Sequence, residues 1–150
     1  MNQDILRRQG HRLLQLGIVL LLFTSFEGFI VQNFAAPNLG RSVHTLSALT
    51  GILLIAFGLL WSRLLLGAAA SQIAFWCLVY SSLAIIAAFL MGAIWSAGNT
   101  VMPQAAGAAR GTAAQETAIT FIAYSSAPTG IIAFALALWG LRRMPGDAAR

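Results

Sequence analysis

Apolar residues along this chain gather into four long blocks, at residues 13–34, 43–61, 73–95 and 118–141, while polar and charged residues are largely confined to the stretches between them. Each block is close to the roughly 20 residues that a helix needs to cross the hydrocarbon core of a bilayer. None shows the alternation of a barrel strand, and an open sheet edge in lipid would leave backbone groups unpaired. The pattern therefore predicts an all-α integral membrane protein, a four-transmembrane-helix bundle in which residues 1–150 form a single membrane domain.

The predicted connections are short: residues 35–42, 62–72 and 96–117. Only the last has room to fold over a site, and its Pro103, Gln104, Gly107, Arg110 and Gly111 favour turns over a continuous helix. Pro128 falls inside the fourth block, where it removes one backbone hydrogen bond and favours a kink. Tyr124, Ser125, Ser126 and Thr129 lie close enough to re-satisfy freed groups.

Composition agrees with this pattern. Hydrophobic residues make up 59% of the chain and charged residues 9%, against about 25% charged in an ordinary soluble domain. The net charge of +5 could suggest nucleic acid, but its distribution points to topology instead. Arg7, Arg8 and Arg12 precede the first block, Arg63 follows the second, and Arg142, Arg143 and Arg150 follow the fourth. Arg41 and Arg110 fall on the opposite side, so the positive-inside rule puts both termini in the cytoplasm. The first block exceeds the 7 to 15 residues of a signal-peptide core and is kept as a helix. Cys77, alone in the chain, cannot form an intrachain disulfide.

Ionisable groups within a membrane span are costly, so each is a functional candidate. Three qualify: Glu27 in the outer part of the first helix, His44 at the outer start of the second, and Glu116 at the mouth of the fourth. His44 is the most informative, because imidazole serves as metal ligand, proton carrier or haem axial ligand. One face of its helix runs His44, Ala48, Gly51, Ile55, Gly58. Such a strip of small residues permits either helix packing or the approach of a flat cofactor, and periodicity does not decide between them. The chain holds two histidines, and His11 lies on the opposite side from His44, which argues against zinc and against bis-histidine ligation. No nucleophile motif, phosphate-binding loop or paired-carboxylate signature occurs. A Lewis-acid cofactor would remove the need for them.

The stretch from Gly40 to Gly51 (GRSVHTLSALTG), continuing to Trp61, resembles the second helix of the hydroxylaminobenzene mutases and the related styrene oxide isomerases. So do Phe75 and Trp76, the run GTAAQE from Gly111 to Glu116, and LWGLRR from Leu138 to Arg143. The resemblance implies a small haem b isomerase in which His44 is the axial ligand of a ferric haem held between subunits of a homotrimer. Arg41, Ala48 and Gly51 would lie beside the cofactor. Glu116, Gln115 and Thr50 would serve the substrate, a small aromatic compound; equally, Glu116 could cap the fourth helix, since an acid near a helix N-terminus is stabilised by the dipole.

The implied chemistry is a redox-neutral rearrangement with iron as Lewis acid: hydroxylaminobenzene to 2-aminophenol in the mutase branch, epoxide to aldehyde in the isomerase branch. The expected setting is a bacterial inner membrane, with lipid as surroundings and no nucleic-acid partner. There are departures. Thr50 stands where the isomerases carry an asparagine, and Ile85 and Phe89 fall where they carry Asn and Tyr. The substrate-side polar groups are thus reduced, and the helix start at residues 111–116 favours the mutase branch. Two other functions remain open at this point: a non-enzymatic membrane carrier with Glu27 and Glu116 lining a polar path, and a haem electron-transfer subunit.

Overall fold

The structure, a computed structural model, describes residues 2–108 and 110–142; Arg143 and Arg150, counted above among the cytoplasmic arginines, lie outside the described residues. The described residues form four long helices and one short one: α1 (Asn2–Glu27), α2 (Pro37–Leu60), α3 (Ala68–Trp95), the single-turn α4 (Pro103–Ala106) and α5 (Ala113–Leu141). A 3₁₀ turn, Trp61–Arg63, prolongs α2, and another, Val31–Asn33, lies between α1 and α2. Among the described residues there is no strand.

Local chemistry sets the helix ends. Pro37 opens α2, where its missing N–H and fixed φ cost nothing. Ser96 ends α3 in the left-handed region (φ 50), and the Ala97 N–H donates to the Gly92 carbonyl at 3.1 Å, the long bond of a Schellman cap. Thr112 starts α5 through a capping box: its Oγ1 accepts from the Gln115 N–H, while Gln115 Oε1 accepts from the Thr112 N–H.

The first helix differs most from the sequence expectation. It begins at Asn2, well before the apolar block, and stops at Glu27 rather than near Phe34. Phe29, Ile30, Val31 and Phe34 are apolar and so extend the block, but they lie in a turn and a 3₁₀ segment. Hydropathy reports the surroundings of a residue and not its backbone conformation. Three stretches, Pro37–Arg63, Ala68–Trp95 and Ala113–Leu141, are long and apolar enough to cross a membrane. With 26 residues α1 is of similar length, but Arg7, Arg8, His11, Arg12 and Gln15 dilute its first half.

Two helical hairpins, α1 with α2 and α3 with α5, carry most of the packing, and α2 meets α3 between them. The first hairpin closes on bare backbone. A Cβ at Gly10 would lie 2.8 Å from the Gly58 carbonyl oxygen, and one at Gly17 would lie 2.6 Å from that of Gly51. The reverse holds too, at 2.8 Å from Gly58 to the Gly10 oxygen and 3.0 Å from Gly51 to the Gly17 oxygen. Two reciprocal glycine pairs, seven residues apart on each helix, thus bring the axes together. The small-residue strip of α2 is therefore filled by α1 at Gly51 and Gly58, and a flat cofactor has no access to it there.

One core runs through both hairpins around Leu13, Leu54, Trp61, Phe75 and Leu78. At the Trp61 end, the Trp61 indole N–H donates to the buried Gln9 Oε1 at 2.9 Å, and the Leu65 N–H donates to the Gly140 carbonyl at 3.0 Å. A second core, with Leu39, Met102, Ala106 and Ile119, seals the opposite end beneath α4. There the Ala36 N–H donates to the Ala93 carbonyl at 3.1 Å.

Candidate functional site

The end of α1 and the start of α2 bring two of the three ionisable candidates together. His44 Nδ1–H donates to Glu27 Oε2 at 3.0 Å. The carboxylate side chain is only 1% exposed, whereas the imidazole is 44% exposed, so the ring has one nitrogen turned to the protein and the other left accessible. A neutral imidazole bonded in this way keeps its lone pair on Nε2. Gly28, just beyond the helix end, forms a ledge under the ring: a Cβ there would sit 3.0 Å from His44 Cε1 and 3.3 Å from Nδ1. Glu27 Oε1 is buried and, among the described residues, has no hydrogen-bond partner.

A shallow hollow of about 300 Å³ opens at this pair, lined by Gly28, Val31, Gln32, Arg41, His44 and Thr45. Arg41 is exposed and also borders a neighbouring groove of about 420 Å³ with Ser42, Leu46, Leu49 and Phe89. Ala48, one turn beyond His44, is half-buried, and Gly51 is buried in the α1 seam. Of the four expected cofactor contacts, Arg41 and His44 thus share one hollow, while Gly51 does not open onto it.

Thr50 lies elsewhere. It is buried, and it lines a groove of about 320 Å³ between α2, α3 and α5 with Ser81, Ser82, Ile85, Ser126 and Phe134. The six residues from His44 to Thr50 turn the helix by about 600°, which leaves the two side chains about 120° apart around the axis. Sequence comparison had pointed to Thr50 and Ile85, and both line this groove, but Ser82 and Ser126 were missed. Their signal was present as hydroxyls inside apolar blocks; nothing in the pattern showed that α3 and α5 turn them toward Thr50.

Glu116 stands apart from both. Its Oε1 accepts from the N–H groups of Gly98 (2.8 Å) and Gly111 (3.1 Å), and its Oε2 accepts from that of Thr100 (3.2 Å). The carboxylate thereby gathers the α3–α5 connection onto the first turn of α5. Gln115 is engaged in the capping box described above, so the two side chains proposed to act on substrate are both committed to backbone N–H groups here. No group of three or more His, Cys, Asp or Glu able to hold a metal ion occurs among the described residues.

Long apolar helices, a carboxylate–imidazole pair buried on its carboxylate side only, and a hydroxyl-lined groove define a small helical protein suited to apolar surroundings, with its polar chemistry confined to a few points. The family described as styrene oxide isomerase matches residues 9–142 of the chain. Among curated relatives, hydroxylaminobenzene mutase HabB of Ectopseudomonas oleovorans is 45% identical over 136 residues, covering 91% of this chain and 83% of the relative. Hydroxylaminobenzene mutase HabA of the same organism is 35% identical over 127 residues, covering 85% of this chain and 94% of the relative. The chain belongs to the styrene oxide isomerase family, and it is an isomerase. That sets aside the non-enzymatic carrier and the electron-transfer subunit. No solved structure matches the chain.

Proposed function

We propose that the protein is a membrane-bound haem b isomerase of the mutase type, rearranging a small aromatic hydroxylamine such as hydroxylaminobenzene to the corresponding 2-aminophenol. The observation that carries this reading is the His44–Glu27 pair, which leaves an accessible Nε2 on a ring held from behind. A bare metal ion would need more donors than the described residues gather. An iron porphyrin would bring four nitrogens of its own and would need little more from the protein than one donor, which His44 could supply. Ferric haem bound there would supply a Lewis-acidic iron able to polarise an N–O or C–O bond.

The remaining roles fall to the chain itself. Arg41, exposed at the edge of the His44 hollow, would offer its guanidinium to the carboxylates of the cofactor. The Thr50 groove, apolar with hydroxyls from Thr50, Ser82 and Ser126, is of a size and character to receive one aromatic ring. The rearrangement is an isomerisation: the N–O bond breaks, a C–O bond forms at the ring, and the displaced ring hydrogen ends on nitrogen. No oxidant or reductant is consumed.

Within one chain, His44 and Thr50 point to different sides of α2, so a site using both requires a neighbouring copy. This favours an oligomer with the cofactor between subunits, and a homotrimer is the form implied by the family resemblance. Four crossings with both termini in the cytoplasm of a bacterial cell suit the arginine distribution, with α1, about 39 Å long, as the fourth span. An epoxide rearrangement to an aldehyde is the second reading, favoured by the description of the matching family.

Protein purified in detergent from haem-replete cells is expected to show a Soret band that His44→Ala abolishes, and to convert hydroxylaminobenzene faster than styrene oxide. A colourless wild-type preparation would overturn the haem reading, and faster turnover of the epoxide would reverse the order of substrates.

A further inference from the structure

We propose that Glu27 is the positioning residue of the site: it fixes the tautomer and bearing of the His44 ring and strengthens Nε2 as an electron donor to iron. The inference rests on the haem reading above. It is carried by how the carboxylate is held. Glu27 lies at the last position of α1 and is 1% exposed, with Oε2 on His44 Nδ1 at 3.0 Å and Oε1 buried without a partner.

A carboxylate serving only as a clip between helices would be expected to satisfy both oxygens, since an unpaired buried acceptor is costly. Here its one bond among the described residues goes to the imidazole. In a low-dielectric setting such a bond is strong and polarises the ring, shifting electron density toward Nε2. Ligating histidines commonly donate their second N–H to a carboxylate, which fixes the ring and raises its basicity. Gly28 completes the arrangement, because any larger residue would press on Cε1 and Nδ1 and turn the ring away. For a haem held by His44, a more electron-rich Nε2 would favour the ferric over the ferrous state, so Glu27 would set the midpoint of the bound cofactor.

The test uses haem-loaded protein in detergent. Glu27→Gln keeps the size and an acceptor oxygen but removes the charge. It is expected to shift the ferric–ferrous equilibrium about tenfold toward ferrous, about 59 mV for a one-electron couple. A purely structural role would not move this quantity. Full haem occupancy in Glu27→Gln with an unchanged midpoint would overturn the proposal. If Glu27→Gln does not assemble, His44→Gly supplemented with imidazole or with 1-methylimidazole gives the answer with Glu27 intact. Imidazole, which can donate to the carboxylate, should give the lower midpoint; equal midpoints would sink the inference. Haem-free wild-type protein would instead remove the haem reading itself, and this inference with it.

Discussion

Gly17 and Gly51 meet so closely that a single methyl group has nowhere to go. A Cβ at Gly17 would lie 2.6 Å from the Gly51 oxygen and 2.7 Å from Ile55 Cγ1, and both are anchored in α2. Overpacking of this kind costs about 1–3 kcal/mol, so Gly17→Val is expected to lower the unfolding midpoint in detergent clearly. Gly130, inside α5, is the control: its added Cβ would meet only Ser81 at 3.6 Å, an ordinary contact, and Gly130→Ala should not lower stability. Equal effects from the two substitutions would contradict the seam. At this scale the sequence was half legible. The smooth face of α2 could be read from Ala48, Gly51 and Gly58, but its occupant could not, because Gly10 sits among arginines and a glutamine before the first apolar block while Gly17 lies inside it, so no common pattern joins them. Likewise Glu27 and His44 stood out singly as ionisable groups in apolar blocks. Their pairing was hidden because the first block runs unbroken through the turn that brings them together.

The α3–α5 connection depends on one side chain. Glu116 accepts from the N–H groups of Gly98, Thr100 and Gly111, and Thr112 and Gln115 cap the helix beside it. Glu116→Ala should therefore raise amide hydrogen exchange across residues 98–111 while leaving the α3 and α5 interiors protected; protection unchanged in that stretch would refute the latch. A direct role of Glu116 in chemistry would instead show as lost activity with the segment still protected. The capping box went unread although its Thr-x-x-Gln spacing is a local signal, because Gln115 was assigned to the substrate. The backbone donors gathered by Glu116 were not, because two of them belong to the far side of the loop.

For the whole molecule, the two hairpins place residues 28–36 and 96–112 at one end and residues 61–67 at the other. In cells, an impermeant thiol reagent applied from outside should label Gln32→Cys and not Ser62→Cys, both exposed positions, in a Cys77→Ser background. Labelling of both would overturn the four-span topology, and labelling of the second alone would overturn its orientation. The helices α2, α3 and α5 were legible because the apolar blocks at 43–61, 73–95 and 118–141 each approach the length of a span, whereas α1 departs from its block at both ends. Helix pairing was not legible, since it depends on which faces interlock. The glycine seam has one more result. Its contacts pair Gly10 with Gly58 and Gly17 with Gly51, and the same seven-residue step carried upward brings Thr24 level with His44. The side-chain-free contacts act as the graduations of a ruler: a slip of α1 by one turn would carry Glu27 about 5 Å off its mark. The imidazole is thus aimed from the far half of the molecule, by residues that never come near it.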